Sequence, residues 1–131
     1  MIEMEMCRVI VRENGDDQFV FLRERVGKRS FPIVIGRSEG RELWNLVSDT
    51  KTPRPLTHEL LRNAIAALGA SVERVVVNDL DKGTFFARLV LSRNGETIEL
   101  DARPSDALAI AVRAHAPIYA ADHVVENASN S

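Results

Sequence analysis

Cysteine is almost missing from this chain. Cys7 stands alone among 131 residues, so the chain can form no internal disulfide and no cysteine zinc site. A reducing, cytoplasmic compartment is the simpler expectation. Aromatic residues are scarce at 5%. Phe85 and Phe86 alternate within one stretch, which excludes the interleaved aromatic stripe on which single-strand binders stack bases. No stretch reaches the roughly 18 consecutive apolar residues of a membrane span, and the first six residues carry acids where a signal peptide carries bases, so neither membrane insertion nor export is expected. An excess of one charge is also lacking. At a formal net charge of −2 there is no general attraction to polyanions, so nucleic acid would need a local basic patch or bridging metal ions.

What is present is an ordinary soluble composition, 45% apolar and 27% charged, enough for the core of one domain. Residues 1–126 are expected to form that domain and residues 127–131 a frayed tail. Residues 4–12 alternate as a strand, with Met6, Arg8 and Ile10 on one face and Cys7, Val9 and Val11 on the other. Asn14-Gly15-Asp16-Asp17 is a hairpin turn leading to a return strand through Phe19 and Leu22. Phe31 to Ile35 is a third strand in which Pro32 must lie at the strand's start or on a sheet edge, and Gly36 ends it. Ser38 with Glu39 starts a short helix carrying Leu43, Trp44, Leu46 and Val47.

The prolines of Pro53-Arg54-Pro55 stiffen a connector that holds Arg54, and Thr57 then caps a helix. Its stripe of Leu60, Leu61, Ala64, Ile65 and Leu68 has the spacing of a buried face, and Gly69 stops it. Strands over 72–80, 84–92 and 96–101, joined at Asp81-Lys82-Gly83 and Asn94-Gly95, form an antiparallel meander with Ile98 and Leu100 inward. Asp101-Ala102-Arg103-Pro104-Ser105-Asp106 is a strand-to-helix junction, where Pro104 ends the strand and Ser105 caps the helix. The helix to His115 is apolar nearly all round and so buried, with His115 at the edge of the core. Pro117 to Ala120 is a short extended segment, and Asp122 to Val125 adds at most one more turn. The fold class is α+β: a mixed, mainly antiparallel sheet of hairpins with three helices.

Chemistry concentrates at two corners. At the junction, Asp101 and Asp106 can aim at one point and hold a divalent ion, Mg²⁺ or Mn²⁺, or position a water. Arg103 and Ser105 lie between them as phosphate ligands beside the free N–H groups of the helix start. At the second corner His58 and Glu59 form an acid–base pair, with the helix dipole favouring neutral His58 and ionised Glu59, and Arg54 is a second phosphate clamp. The structural alternative is that the two aspartates only pin Arg103 and that Glu59 answers the dipole. Arg23, Arg25, Lys28 and Arg29 cluster as a phosphate path or a solvated loop.

The motifs Phe31-Pro32-Ile33-Val34-Ile35-Gly36, Pro53-Arg54-Pro55-Leu56-Thr57-His58-Glu59-Leu60, Gly83-Thr84-Phe85-Phe86-Ala87-Arg88-Leu89, Asp101 to Ala107 and Ala116-Pro117-Ile118-Tyr119 occur in an order and spacing that resemble the bifunctional nuclease domain family, over residues 5–126. The resemblance implies a nuclease acting on DNA and RNA. The chain departs from that pattern at Glu39-Gly40, where Glu-Ala is usual, and at Trp44, where a small or aliphatic residue is. Trp44 widens the apolar face of its helix beyond what one side buries, so a homo-oligomer, most simply a homodimer, is expected. The rival function is a non-catalytic homo-oligomeric binding or scaffold module. A nuclease requires its corner exposed in a groove; a structural lock would bury Arg103 with both acids satisfied.

Overall fold

The computed structural model describes residues 1–12, 18–48 and 53–129, without the side chains of residues 37 and 38. Among the described residues seven strands form one sheet: β1 (Ile2–Ile10), β2 (Gln18–Glu24), β3 (Ser30–Ile35), β4 (Ser71–Asp81), β5 (Thr84–Arg93), β6 (Glu96–Ala102) and β7 (Ile118–Ala120). The helices are α1 (Arg37–Val47), α2 (Thr57–Ala67), α3 (Pro104–Ala114) and α4 (Asp122–Ser129). The order across the sheet is β3-β2-β1-β7-β4-β5-β6, antiparallel at every pairing except that of β4 with β7. No helix among the described residues is long and apolar enough to cross a membrane.

Local chemistry sets the hairpins. Lys82 (φ 51°) and Gly83 (φ 82°), and Asn94 (φ 50°) and Gly95 (φ 80°), are consecutive left-handed pairs that reverse the meander with the twist its strands require. The turn at Asn14 lies outside the described residues. Cys7 is the extra residue of a β-bulge, between the pairs Met6 with Leu22 and Arg8 with Phe21. The bulge shifts the alternation by one, so buried Met4 and partly buried Met6 share the core side with Val9. The uniform alternation expected through residues 6–11 therefore fails at one residue.

The sheet curls strongly. Phe31 of β3 stacks on Phe85 of β5 at 5.5 Å between ring centroids, although β2, β1, β7 and β4 separate them in the sheet. Into this curl packs α3, with Ala107, Leu108, Ala109, Ile110 and Ala111 all buried, as its sequence requires. Among the described residues four helices are present rather than three, because Val124, Val125 and Ala128 bury one side of α4. The tail expected to fray from Asn127 thus stays helical to Ser129.

One apolar face turns outward instead of inward, and another faces inward but stays largely exposed. In α2 the buried residues are His58 and Ile65, while Leu60 and Leu68 are 62% and 68% exposed and Leu61 is also exposed. Ile98 and Leu100 lie on the core side of the pleat, but β6 is the sheet edge and they stay 36% and 44% exposed. Helix caps differ too. Thr57 and Ser105 follow the N-caps, Leu56 and Arg103, and none of α1, α2 and α3 has a side-chain cap hydrogen bond.

Gly40 explains why alanine is not used in α1. A Cβ there would lie 2.7 Å from Cβ of Gln18, whose amide is held to both backbone groups of Arg12 at 2.7 and 3.1 Å. Glycine to alanine inside a helix ordinarily gains about 1 kcal/mol. Here Gly40→Ala should lower the melting temperature by several degrees, since one strand and one helix must separate. A thermal melt showing a higher Tm would refute this close approach.

Candidate functional site

The polar residues of three helices meet at the start of α3. Pro104 at the first helical position has no N–H to lose and an already suitable φ, so the chain turns from β6 into helix with Arg103 as N-cap. Three residues later Asp106 lies back over that turn, and Arg103 Nε donates to Asp106 Oδ2 at 2.9 Å. The other oxygen, Oδ1, meets His58 Nε2 of α2 at 2.9 Å. His58 Nδ1 stands 2.7 Å from Glu42 Oε1 of α1, a close charge pair without hydrogen-bond alignment at that nitrogen. Arg103 reaches Glu39 Oε1, also on α1, at 3.2 Å. The chain of contacts is thus Glu42, His58, Asp106, Arg103, Glu39.

Its members are unequally buried. His58 is buried, Asp106 half-buried, and the Arg103 side chain is 66% exposed. Burial by itself would lower the His58 pKa, but the bond with Asp106 and the nearby Glu42 carboxylate outweigh it, so the imidazole titrates above its ordinary 6.5. This reverses the expectation that the helix dipole keeps His58 neutral, because two carboxylates close by exceed one helix end. Burial likewise acts to raise Asp106, yet bonds from Arg103 and His58 hold it below its ordinary 3.8.

Asp101 does not join them. It pairs with Arg88 across the β5–β6 ladder at 4.0 Å with its side chain 75% exposed. Arg88 and Asp101 point to the face opposite Ala87 and Leu89, and α3 packs on the Ala87 and Leu89 side. Asp101 and Asp106 therefore diverge across the sheet. The ion expected between them does not fit. Both Asp106 oxygens are engaged, and no three His, Cys, Asp or Glu converge as metal ligands among the described residues.

Glu59 separates from His58 because adjacent helical residues point about 100° apart. It binds Arg113 of α3 at 2.5 Å. Arg54 is exposed on the segment entering α2. His115 is not at the core edge; it is exposed and ends α3 in a left-handed conformation, φ 54°. His123 pairs with Asp79 at 3.2 Å. In the basic cluster Arg23 pairs with Glu5, Arg25 with Glu3 and Arg29 with Glu24, which matches a neutralised, solvated loop better than a phosphate path. Glu39 and Glu42 are the members that sequence reasoning missed. Their one signal was a spacing of three on α1, which places both on one face.

Beside Arg103 opens a groove of about 330 Å³ between β3, the β4–β5 turn and the start of α3, lined by Ile33, Ile35, Gly36, Gly83, Phe85 and Ser105 among others. Arg103 and Pro104 line it as well. A corner with an exposed, carboxylate-held guanidinium at a groove can hold an anion.

Comparison with known proteins gives concordant results. A family model described as the bifunctional nuclease domain matches residues 20–131. The chain is 41% identical over 128 residues to an uncharacterised protein of Mycobacterium tuberculosis, covering 98% of this chain and 76% of that protein. It is 28% identical over 99 residues to bifunctional nuclease 1 of Oryza sativa subsp. japonica, covering 73% of this chain and 30% of the plant protein. With bifunctional nuclease 1 of Arabidopsis thaliana the identity is 31% over 90 residues, 66% of this chain and 28% of the relative.

The charge network has a defined pH window. The raised His58 pKa means that its pairing stabilises fully below pH 6.5 and is lost as pH rises through the folded value. The lowered Asp106 pKa means a contribution present above pH 3.8 and lost as pH falls through the folded value. Asp106→Asn should therefore cost about 1–3 kcal/mol in denaturant melts at weakly acidic pH, and less at alkaline pH. A cost independent of pH would show that Asp106 and His58 are not coupled.

Proposed function

The chain belongs to the bifunctional nuclease domain family, and on that premise we propose that it is a nuclease hydrolysing phosphodiester bonds of DNA and RNA at the Arg103 corner. The observation that carries this reading is the exposed Arg103 guanidinium at the mouth of the groove, held in place by Asp106 and Glu39. Hydrolysis adds water to phosphorus, forms one P–O bond and breaks another, and concentrates negative charge on the non-bridging oxygens. Arg103 and the N-terminal N–H groups of α3 are the groups that neutralise that charge. Glu42, His58 and Asp106 are positioning residues: each holds the next, and Asp106 holds Arg103. Arg54 is a second cation for a neighbouring phosphate. No step is assigned to Mg²⁺ or Mn²⁺, because the carboxylate pair expected to hold the ion points two ways.

A second reading, a non-catalytic homo-oligomeric scaffold, is favoured by one observation. Leu60, Leu61 and Leu68 of α2 with Trp44 and Val47 of α1 are large apolar side chains left in solvent. On that reading, Leu60→Glu converts an oligomer to a monomer in sedimentation while leaving the melting temperature unchanged within a few degrees. A wild-type chain that sediments as a monomer would refute it.

Cutting of labelled RNA and DNA by wild type, Arg103→Ala and Asp101→Asn, each with Mg²⁺, with Mn²⁺ and with EDTA, tests the leading reading. Arg103→Ala should lose at least about tenfold in rate, the scale of one charge-assisted contact of about 1.4 kcal/mol or more. Asp101→Asn should cut like wild type. Equal rates for wild type and Arg103→Ala would move the chemistry elsewhere, and no cutting under any condition would sink the nuclease reading.

A further inference from the structure

The groove beside Arg103 is more specific than an anion site. Two helix ends meet there: Gly36, the N-cap of α1, and Arg103, the N-cap of α3, both line it, and neither helix has a side-chain cap bond. Both helices have 11 residues, long enough to present a positive end. Ser105 also lines the groove. It is only 6% exposed, yet its hydroxyl makes no hydrogen bond with the described residues. The hydroxyl oxygen is not sealed from solvent, so it is open to the groove and can donate to a ligand oxygen there.

The remaining walls are of another kind. Pro32, Ile33, Ile35 and Phe85 are apolar, and one face of the Phe85 ring is already taken by Phe31. Gly83 faces the groove without a side chain, which leaves room for a sugar. The volume of about 330 Å³ lies at the small end of the roughly 300–1,000 Å³ found for small-molecule clefts. Such a cleft is anionic at one end and flat and apolar at the other, and it has space for one nucleotide. A base within a duplex is stacked and paired, so it cannot lie along this wall.

Glu39 stands next to the anionic end without lining the groove. Its carboxylate folds back over Gly36, so close that a Cβ there would overlap it, and it holds Arg103 at 3.2 Å. An incoming phosphate meets the same guanidinium and the same helix ends.

We propose that this groove takes one unpaired nucleotide, with its phosphate replacing the Glu39 carboxylate beside Arg103 and Ser105 and its base along the β3 and Phe85 wall. The proposal rests on the nuclease reading and names the form of substrate that site accepts: a single strand or a frayed end.

The test is calorimetric titration of the full chain with adenosine 5′-monophosphate, with inorganic phosphate and with adenosine, for wild type, Ser105→Ala, Arg103→Ala and Glu39→Gln, each checked by a thermal melt. The monophosphate should bind at least tenfold more tightly than phosphate or adenosine alone. Ser105→Ala, which loses no internal bond and should melt like wild type, should weaken it about tenfold, as expected for one hydrogen bond to a charged oxygen. Glu39→Gln should tighten it severalfold. Equal affinity for phosphate and the monophosphate, or unchanged affinity in both Ser105→Ala and Arg103→Ala, overturns the proposal. Cutting by wild type without monophosphate binding overturns the groove assignment alone. Binding without cutting leaves the groove standing and removes the nuclease reading.

Discussion

One carboxylate ties the helical half of this protein together. Asp106 offers one oxygen to His58 on α2 and the other to Arg103 at its own helix start, and Glu42 and Glu39 extend both arms to α1. Apolar packing of α3 in the curl of the sheet is strong but non-directional, so by itself it does not settle how α1 and α2 stand around that helix. A partly buried charge network is directional, because each unmet partner costs more than each met one gains. It also leaves its most exposed member, Arg103, aimed at solvent with its geometry held from behind.

The sheet supplies the other wall. Its curl brings β3 and β5 together through the Phe31 and Phe85 stack, and α3 enters the opening that this closure leaves. Helix starts, glycines and apolar strand residues thus meet at one place from four distant parts of the chain. Outside this corner, α2 shows solvent a surface rich in leucine and alanine, while its charged residues Glu59 and Arg62 lie partly buried on its other sides. That arrangement inverts the usual helix.

Several features were legible because they are local. Lys82-Gly83 and Asn94-Gly95 accept positive φ where few residue pairs do, and Gly69 (φ 80°) ends α2 for the same reason. The α3 core face was legible because a helix apolar on nearly every side has one stable location. The Arg103 and Asp106 pair, three residues apart at a helix start, was legible too. The divergence of Asp101 was implicit in the strand period, since Asp101 shares parity with Thr97 and Glu99 and opposes Ile98 and Leu100. Nearness along the chain outweighed that parity in the expectation of a metal pair. For α2, periodicity established an apolar stripe but not which stripe is buried: His58 and Ile65 face inward because Asp106 and the core receive them.

By itself, the sequence determined the strands, three of the four helices seen among the described residues, the two meander turns, the α+β class and the presence of a charged junction before α3, because propensity, turn geometry and pleat act over a few residues. Only the tertiary structure decided that Glu42 and Glu39 complete the charge network, that His58 is held between two acids, and that Asp101 and Glu59 stand apart. Those outcomes depend on the rotation of one helix about its axis relative to another. Rotation is set by the summed packing of surfaces distant in sequence, and no local pattern records it.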